Sequence, residues 1–198
     1  MAALKLFITG KPGVGKTTVV ERVMRELRES TRMAGFVTEE MRGPTGERWG
    51  FDITTVEGKR GQLARIRGLG PVRGSSRSVD LSTFERAPLT VRVGRYGVDV
   101  EAFERVALPE LARRDVDLMV IDEIGKMECA SKRFCHAVEE VLDADLNILA
   151  TLGIGRHPFF QVVRSHPDVE LIRLTEGNRD AVFSELSGRL REAVRRQR

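Results

Sequence analysis

Apolar residues recur along the chain with two periods. Short unbroken runs alternate with stretches in which every third or fourth position is apolar. Leu4-Lys5-Leu6-Phe7-Ile8 predicts a strand over 4–9. Val19, Val20, Val23, Met24 and Leu27 share one face of a helix over 17–29. Residues 34–39 read as a second strand. Trp49 to Val56 alternates as a strand does and, with Gly58 and Gln62 to Ile66, predicts a hairpin. Residues 67–95 carry Gly68, Gly70, Pro71, Gly74, Ser75, Ser76 and Ser78 and read as a loop, with 88–93 as an edge strand inside it. Phe103, Val106, Ala107 and Leu111 predict a helix over 99–114, capped by Asp99 and kinked by Pro109. Strands over 118–121, 147–151 and 169–174 then alternate with helices over 131–143, 158–165 and 179–196. Repeated strand–helix units imply a three-layer α/β fold, with a mainly parallel sheet, helices on both faces and a β-hairpin addition. No linker or internal repeat divides residues 1–198, so one domain is expected.

The junction of the first strand and first helix carries the chemistry. Gly10-Lys11-Pro12-Gly13-Val14-Gly15-Lys16-Thr17 has the spacing of a phosphate-binding loop, with Thr18 continuing into the helix. Chance produces such spacing in roughly one chain of this length in a hundred, and the flanking strand and helix lower that further. Gly10, Gly13 and Gly15 are expected to take positive φ and bring backbone N–H groups close to phosphate. Lys16 reaches the β- and γ-phosphates, and the Thr17 hydroxyl is placed for Mg²⁺. The helix aims its positive end at the anion. These features predict a P-loop NTPase fold.

A second constellation ends a buried strand. Leu118-Met119-Val120-Ile121 is fully apolar and runs into Asp122-Glu123-Ile124-Gly125. Ligands of open α/β sheets lie outside the carboxyl ends of the strands, so Asp122 should face the crevice of Lys16 and Thr17 and hold Mg²⁺. Glu123 is the candidate to polarise an attacking water. Lys126 and Glu128 extend this wall or form a helix-start charge pair. Glu39 and Glu40 point toward the same edge, with solvated strand ends as the competing reading. Arg156 and Arg179 are candidates for a cation on the γ-phosphate, Asn178 for a base contact and His157 for the pocket lining. The sequence Asn-Lys-x-Asp, which reads guanine in switch-type GTPases, is absent. A site without a dedicated base partner tolerates several nucleotides.

Composition narrows the rest. Hydrophobic residues make up 41% of 198, charged residues 31%, and no run approaches a membrane span. The chain enters its first strand almost at once, so no secretory signal is expected. Cys129 and Cys135 lack metal-site spacing and read as reduced thiols of a cytoplasmic protein, with the nucleus as the alternative. The net charge is +4, and the basic end Arg189 to Arg198 reads as a helix terminus favoured by the macrodipole. A nucleic-acid patch is the competing reading. A monomer is favoured.

Phe7 to Thr18, Gly35 to Glu40, Gly50-Phe51-Asp52, Val93 to Val98, Val120 to Glu128 and Asn178-Arg179-Asp180 together resemble the cancer-related (thermophile-type) nucleoside-triphosphatase family. The resemblance runs in order across nearly the whole chain. It implies a single P-loop domain related to RecA and AAA-type ATPases, which hydrolyses nucleoside triphosphates slowly with Mg²⁺ and broad base tolerance. Its nucleotide-binding segments fall on Gly10–Thr17 and Leu118–Gly125. Two other functions stay open at this level. A nucleotide or nucleoside kinase would use the arginines of the 67–95 loop, and a nucleotide-dependent switch would bind nucleic acid or protein through the basic end.

Overall fold

The structure, a computed structural model, describes residues 3–66 and 90–197. Among the described residues nine strands form one sheet: β1 (Lys5–Thr9), β2 (Met33–Arg42), β3 (Arg48–Thr55), β4 (Arg60–Ile66), β5 (Thr90–Val93), β6 (Tyr96–Asp99), β7 (Leu118–Ile124), β8 (Asn147–Leu152) and β9 (Val169–Arg173). The helices are α1 (Lys16–Leu27), α2 (Val100–Leu111), α3 (Lys132–Asp143), α4 (Pro158–Ser165) and α5 (Arg179–Arg196). The sheet order is β5-β6-β4-β3-β2-β7-β8-β1-β9. The strands β2-β7-β8-β1-β9 pair in parallel, and β2-β3-β4-β6-β5 continue the same sheet antiparallel.

Strand alternation sorts the core into two layers. Leu6 and Ile8 of β1 pack with Val20 and Val23 of α1 and Leu186 and Leu190 of α5. Phe7 between them faces the opposite layer, with Phe36, Phe103, Phe134 and Phe160. There Phe103 lies edge-on to Phe36 at 5.9 Å and to Phe134 at 5.1 Å between ring centres. Helices α1 and α5 thus cover one face of the parallel strands and α2, α3 and α4 the other. Gly35 makes the β2–β7 pairing possible. Its φ is +111°, and a Cβ there would lie 1.8 Å from the carbonyl oxygen of Val120.

The expected hairpin is present as β3–β4, and a second one, β5–β6, extends it. Strand β6 lies just past the 67–95 stretch read as loop, where the sequence reading assigns no element. The signal for it was Val93-Gly94-Arg95-Tyr96, a glycine turn (Gly94 φ +59°) between apolar residues. Helix α2 starts as predicted, with Asp99 accepting from the Ala102 N–H at 2.9 Å. It ends at Leu111 rather than Arg114. Pro109 lies in its last turn and cannot donate to the Arg105 carbonyl, which accepts from Lys59 Nζ at 3.4 Å instead. The Gly- and Ser-rich stretch and Arg67, Arg73, Arg77 and Arg86 lie outside the described residues.

Candidate functional site

Strand β1 delivers the chain to the carboxyl edge of the sheet, where residues 10–15 loop over into α1. The glycines serve different ends. Gly13 and Gly15 have φ of +78° and +95°, as expected, but Gly10 does not have positive φ. Gly10 is required for close approach: a Cβ there would lie 2.7 Å from the Leu174 carbonyl oxygen, beside the backbone bond from Leu174 N–H to Thr9. Lys11, Pro12, Gly13 and Thr18 are exposed, and Gly15 and Thr17 half-buried. Val14 is turned inward.

Lys16 is almost wholly buried, an unusual place for an ammonium group. Its Nζ lies 3.2 Å from Glu123 Oε2 and 3.4 Å from the Gly10 carbonyl oxygen. Two segments more than a hundred residues apart therefore converge on one cation. Glu123 keeps a third of its side chain in solvent, so the contact opens to the crevice.

Asp122 is fully buried. Its Oδ1 accepts a hydrogen bond of 2.6 Å from the Thr151 hydroxyl on β8, the strand between β1 and β7. Its Oδ2 is buried with no hydrogen-bond partner among the described residues. Burial pushes the Asp122 carboxyl up to about 6; the hydroxyls of Thr151 and Thr17 pull it back, the charge of Glu123 raises it and that of Lys16 lowers it. A buried carboxylate oxygen without a protein partner, near the hydroxyl that opens a helix, suits a hard divalent cation. Among the described residues no group of three His, Cys, Asp or Glu side chains forms a metal cage.

Leu118, Met119, Val120 and Ile121 have no exposed surface. Within the expected nucleotide-binding segment 118–125 they form the interior of β7 and carry Asp122 to the edge. Ile124 and Gly125 are buried just beyond. Glu128 is buried too and belongs to the wall of the site, whereas Lys126 is exposed. Val37 stands opposite Asp122 in the β2–β7 register, so Glu39, two residues on, shares its sheet face. Glu40 pairs instead with Arg42 at 2.7 Å and with Arg48.

Arg179 lies against the loop. Its Nε donates to the Val14 carbonyl at 2.7 Å and passes beside Gly15. The neighbouring Asp180 pairs with Arg22 of α1 at 2.7 Å, so the start of α5 is tied to the loop and its helix. Arg156 is exposed. His157 caps α4 through the Phe159 N–H and packs on the Phe160 ring. Asn178 is spent on its own turn, accepting from Thr175 N–H at 2.7 Å and donating to the Arg173 carbonyl at 2.9 Å. Sequence reasoning missed Thr151, since a lone threonine at a strand end carries no motif.

Much of the basic end is paired within the chain. Arg189 bridges Glu170 and Glu185, Arg191 meets Glu26 and Arg196 meets Glu192. Arg92 on β5 and Arg95 in the β5–β6 turn lie six to seven strand positions from β1 and so roughly 30 Å from the phosphate loop. No helix among the described residues is long and apolar enough to cross a membrane.

The model of the NTPase family matches residues 5–187. Nucleoside-triphosphatase THEP1 of Thermotoga sp. (strain RQ2) is 37% identical over 185 residues, covering 92% of this chain and 93% of that protein. The crystal structure of THEP1 from Aquifex aeolicus superposes with a TM-score of 0.72 at 36% identity, over 92% of this chain and 96% of that one. The solution structure of a human cancer-related nucleoside triphosphatase superposes with a TM-score of 0.74 at 36% identity, over 96% and 98%.

Proposed function

Because this chain belongs to the NTPase family, we propose that it is a Mg²⁺-dependent nucleoside triphosphatase, splitting nucleoside triphosphates into nucleoside diphosphate and phosphate with little choice among bases. The observation that carries this reading is the 3.2 Å approach of Glu123 to Lys16. A carboxylate beside the phosphate-binding lysine makes water the natural acceptor.

In this reading the N–H groups of residues 13–17 and Lys16 bind the β- and γ-phosphates and neutralise charge as the γ-phosphoryl group transfers. Glu123 orients a water molecule and takes its proton as the oxygen bonds to the γ-phosphorus; the bond to the β–γ bridging oxygen breaks and the diphosphate leaves. Thr17 and Asp122 would hold Mg²⁺, which would supply positive charge to offset that developing on the phosphates. Thr151 fixes Asp122 from behind. Base tolerance follows from Asn178 being occupied by its own turn and from the absence of a guanine-reading Asn-Lys-x-Asp.

The test is phosphate release from ATP, GTP, CTP and UTP with Mg²⁺ and no added acceptor. All four should be hydrolysed at rates within about ten-fold of one another, and chelation should stop release. Glu123→Gln should lower kcat by at least about a hundred-fold while nucleotide still binds. Release from none of the four, or product formed only when a nucleoside acceptor is added, would overturn the proposal.

A further inference from the structure

Glu128 opens a short 3₁₀ turn (Glu128–Ala130) six residues after Asp122, and only 5% of it is exposed. No cation pairs with it among the described residues. Gly125 explains its position. A Cβ on Gly125 would lie 2.6 Å from Glu128 Oε2 and 2.9 Å from Glu123 Oε1. The two carboxyl groups therefore converge over one residue that has no side chain. The other oxygen of Glu123 faces Lys16. Glu123 is thus placed between a cation on the nucleotide side and a buried acid on the far side.

We propose that Glu128 is a positioning residue for hydrolysis: its buried carboxyl group backs Glu123 over Gly125, on the side away from Lys16, and keeps the Glu123 carboxylate aimed at the γ-phosphate. The inference rests on the reading of Glu123 as the group that activates water.

The chemistry of the turn agrees with this role. Burial, and next the charge of Glu123, push the Glu128 carboxyl up to about 8; backbone amides of Glu128 and Gly125 offset part of this, and Asp122 adds to it. At neutral pH Glu128 is a neutral acid. It can offer a proton toward Glu123 without adding a second negative charge beside the γ-phosphate. The groups around it are Asp122 and Glu123 on β7, Cys129 in its own turn, and Glu104 with Arg133 where α2 and α3 meet this turn. Ionisation of Glu128 would set a like charge against Glu123, so turnover should fall above about pH 8.

The experiment compares Glu128→Ala, Glu128→Gln, Gly125→Ala and Glu123→Gln in the full chain. Measured are kcat and KM for ATP with Mg²⁺, and Kd for a non-hydrolysable ATP analogue. Glu128→Ala should lower kcat at least about ten-fold with Kd within about three-fold of wild type. Gly125→Ala should act in the same direction, since its methyl group displaces both flexible carboxyl ends without removing them. Glu128→Gln, isosteric and always neutral, should recover most of that kcat at pH 7 and abolish the alkaline fall. The inference is overturned if Glu128→Ala turns over like wild type or loses kcat and binding in proportion. It is also overturned if Glu128→Gln does no better than Glu128→Ala. If Glu128→Ala does not fold, Gly125→Ala with wild-type kcat overturns it equally. A normal Glu123→Gln sinks the underlying reading, and a crippled Glu123→Gln beside a normal Glu128→Ala sinks this inference alone.

Discussion

Asp122→Asn is expected to make the metal-free protein more stable while disabling it. The carboxyl is fully buried and raised from 3.8 to about 6. Two pKa units correspond to about 3 kcal/mol that folding loses by keeping this group ionised at neutral pH. Asparagine removes the charge and still offers an oxygen to the Thr151 hydroxyl. Its amide nitrogen then replaces Oδ2, which has no partner. An unsatisfied buried donor costs about 1–2 kcal/mol, leaving a net gain of about 1–2 kcal/mol. In a domain of this size that raises Tm by about 3–6 °C. The sign depends on pH. The folded carboxyl holds its proton more tightly than the unfolded one, so the wild-type penalty is full above pH 6 and fades as pH falls toward 3.8. Thermal melts in chelator at pH 8 and pH 4.5 should show the variant's advantage at the first and little at the second. Stabilisation by Mg²⁺ and nucleotide, which follows their occupancy, should shrink in the variant. A variant no more stable than wild type at pH 8, or equally advantaged at both pH values, would refute the account of Asp122 as a buried charge whose desolvation outweighs its hydrogen bonds.

Three further outcomes can be checked. Lys16→Ala should reduce phosphate release at least about a hundred-fold, because a buried cation at the β- and γ-phosphates is lost; single-turnover assays read this directly. Gly35→Ala should cost more than about 3 kcal/mol in urea unfolding, since its Cβ meets backbone rather than a flexible side chain and φ is positive. Arg179→Met should raise KM for ATP several-fold more than it lowers kcat, because the change releases the Val14 carbonyl and loosens the phosphate loop.

The centre of the parallel half was legible in the sequence because β1, β7 and β8 are largely apolar runs, each followed by a helix of 3.6 periodicity. The loop and the Asp122-Glu123 pair were legible for a different reason: their spacing answers to a phosphate group rather than to packing. What escaped is tertiary. Thr151 acquires meaning only through a neighbour that the fold supplies, and Glu128, read as part of the wall, gains its approach to Glu123 only through the turn over Gly125. Gly10 was assigned to turn geometry, but its need is a carbonyl contributed from beyond β9. Four-residue β6 is too short to show a period, and only the turn before it marks its start. Asn178, a candidate base contact from its place in the chain, satisfies backbone groups of its own turn, and no periodicity reveals that.

Strand β8 stands between β1 and β7. Two interstrand steps set those backbones about 10 Å apart, a width comparable to a phosphate group with a water molecule beside it. The spacer strand keeps the two backbones apart, so Lys16 and Glu123 meet only by side-chain reach across its end. Thr151 at the end of β8 then stands directly between the two halves, where its hydroxyl takes hold of Asp122. The order of strands, as much as any motif, thus decides which side chains can join the crevice.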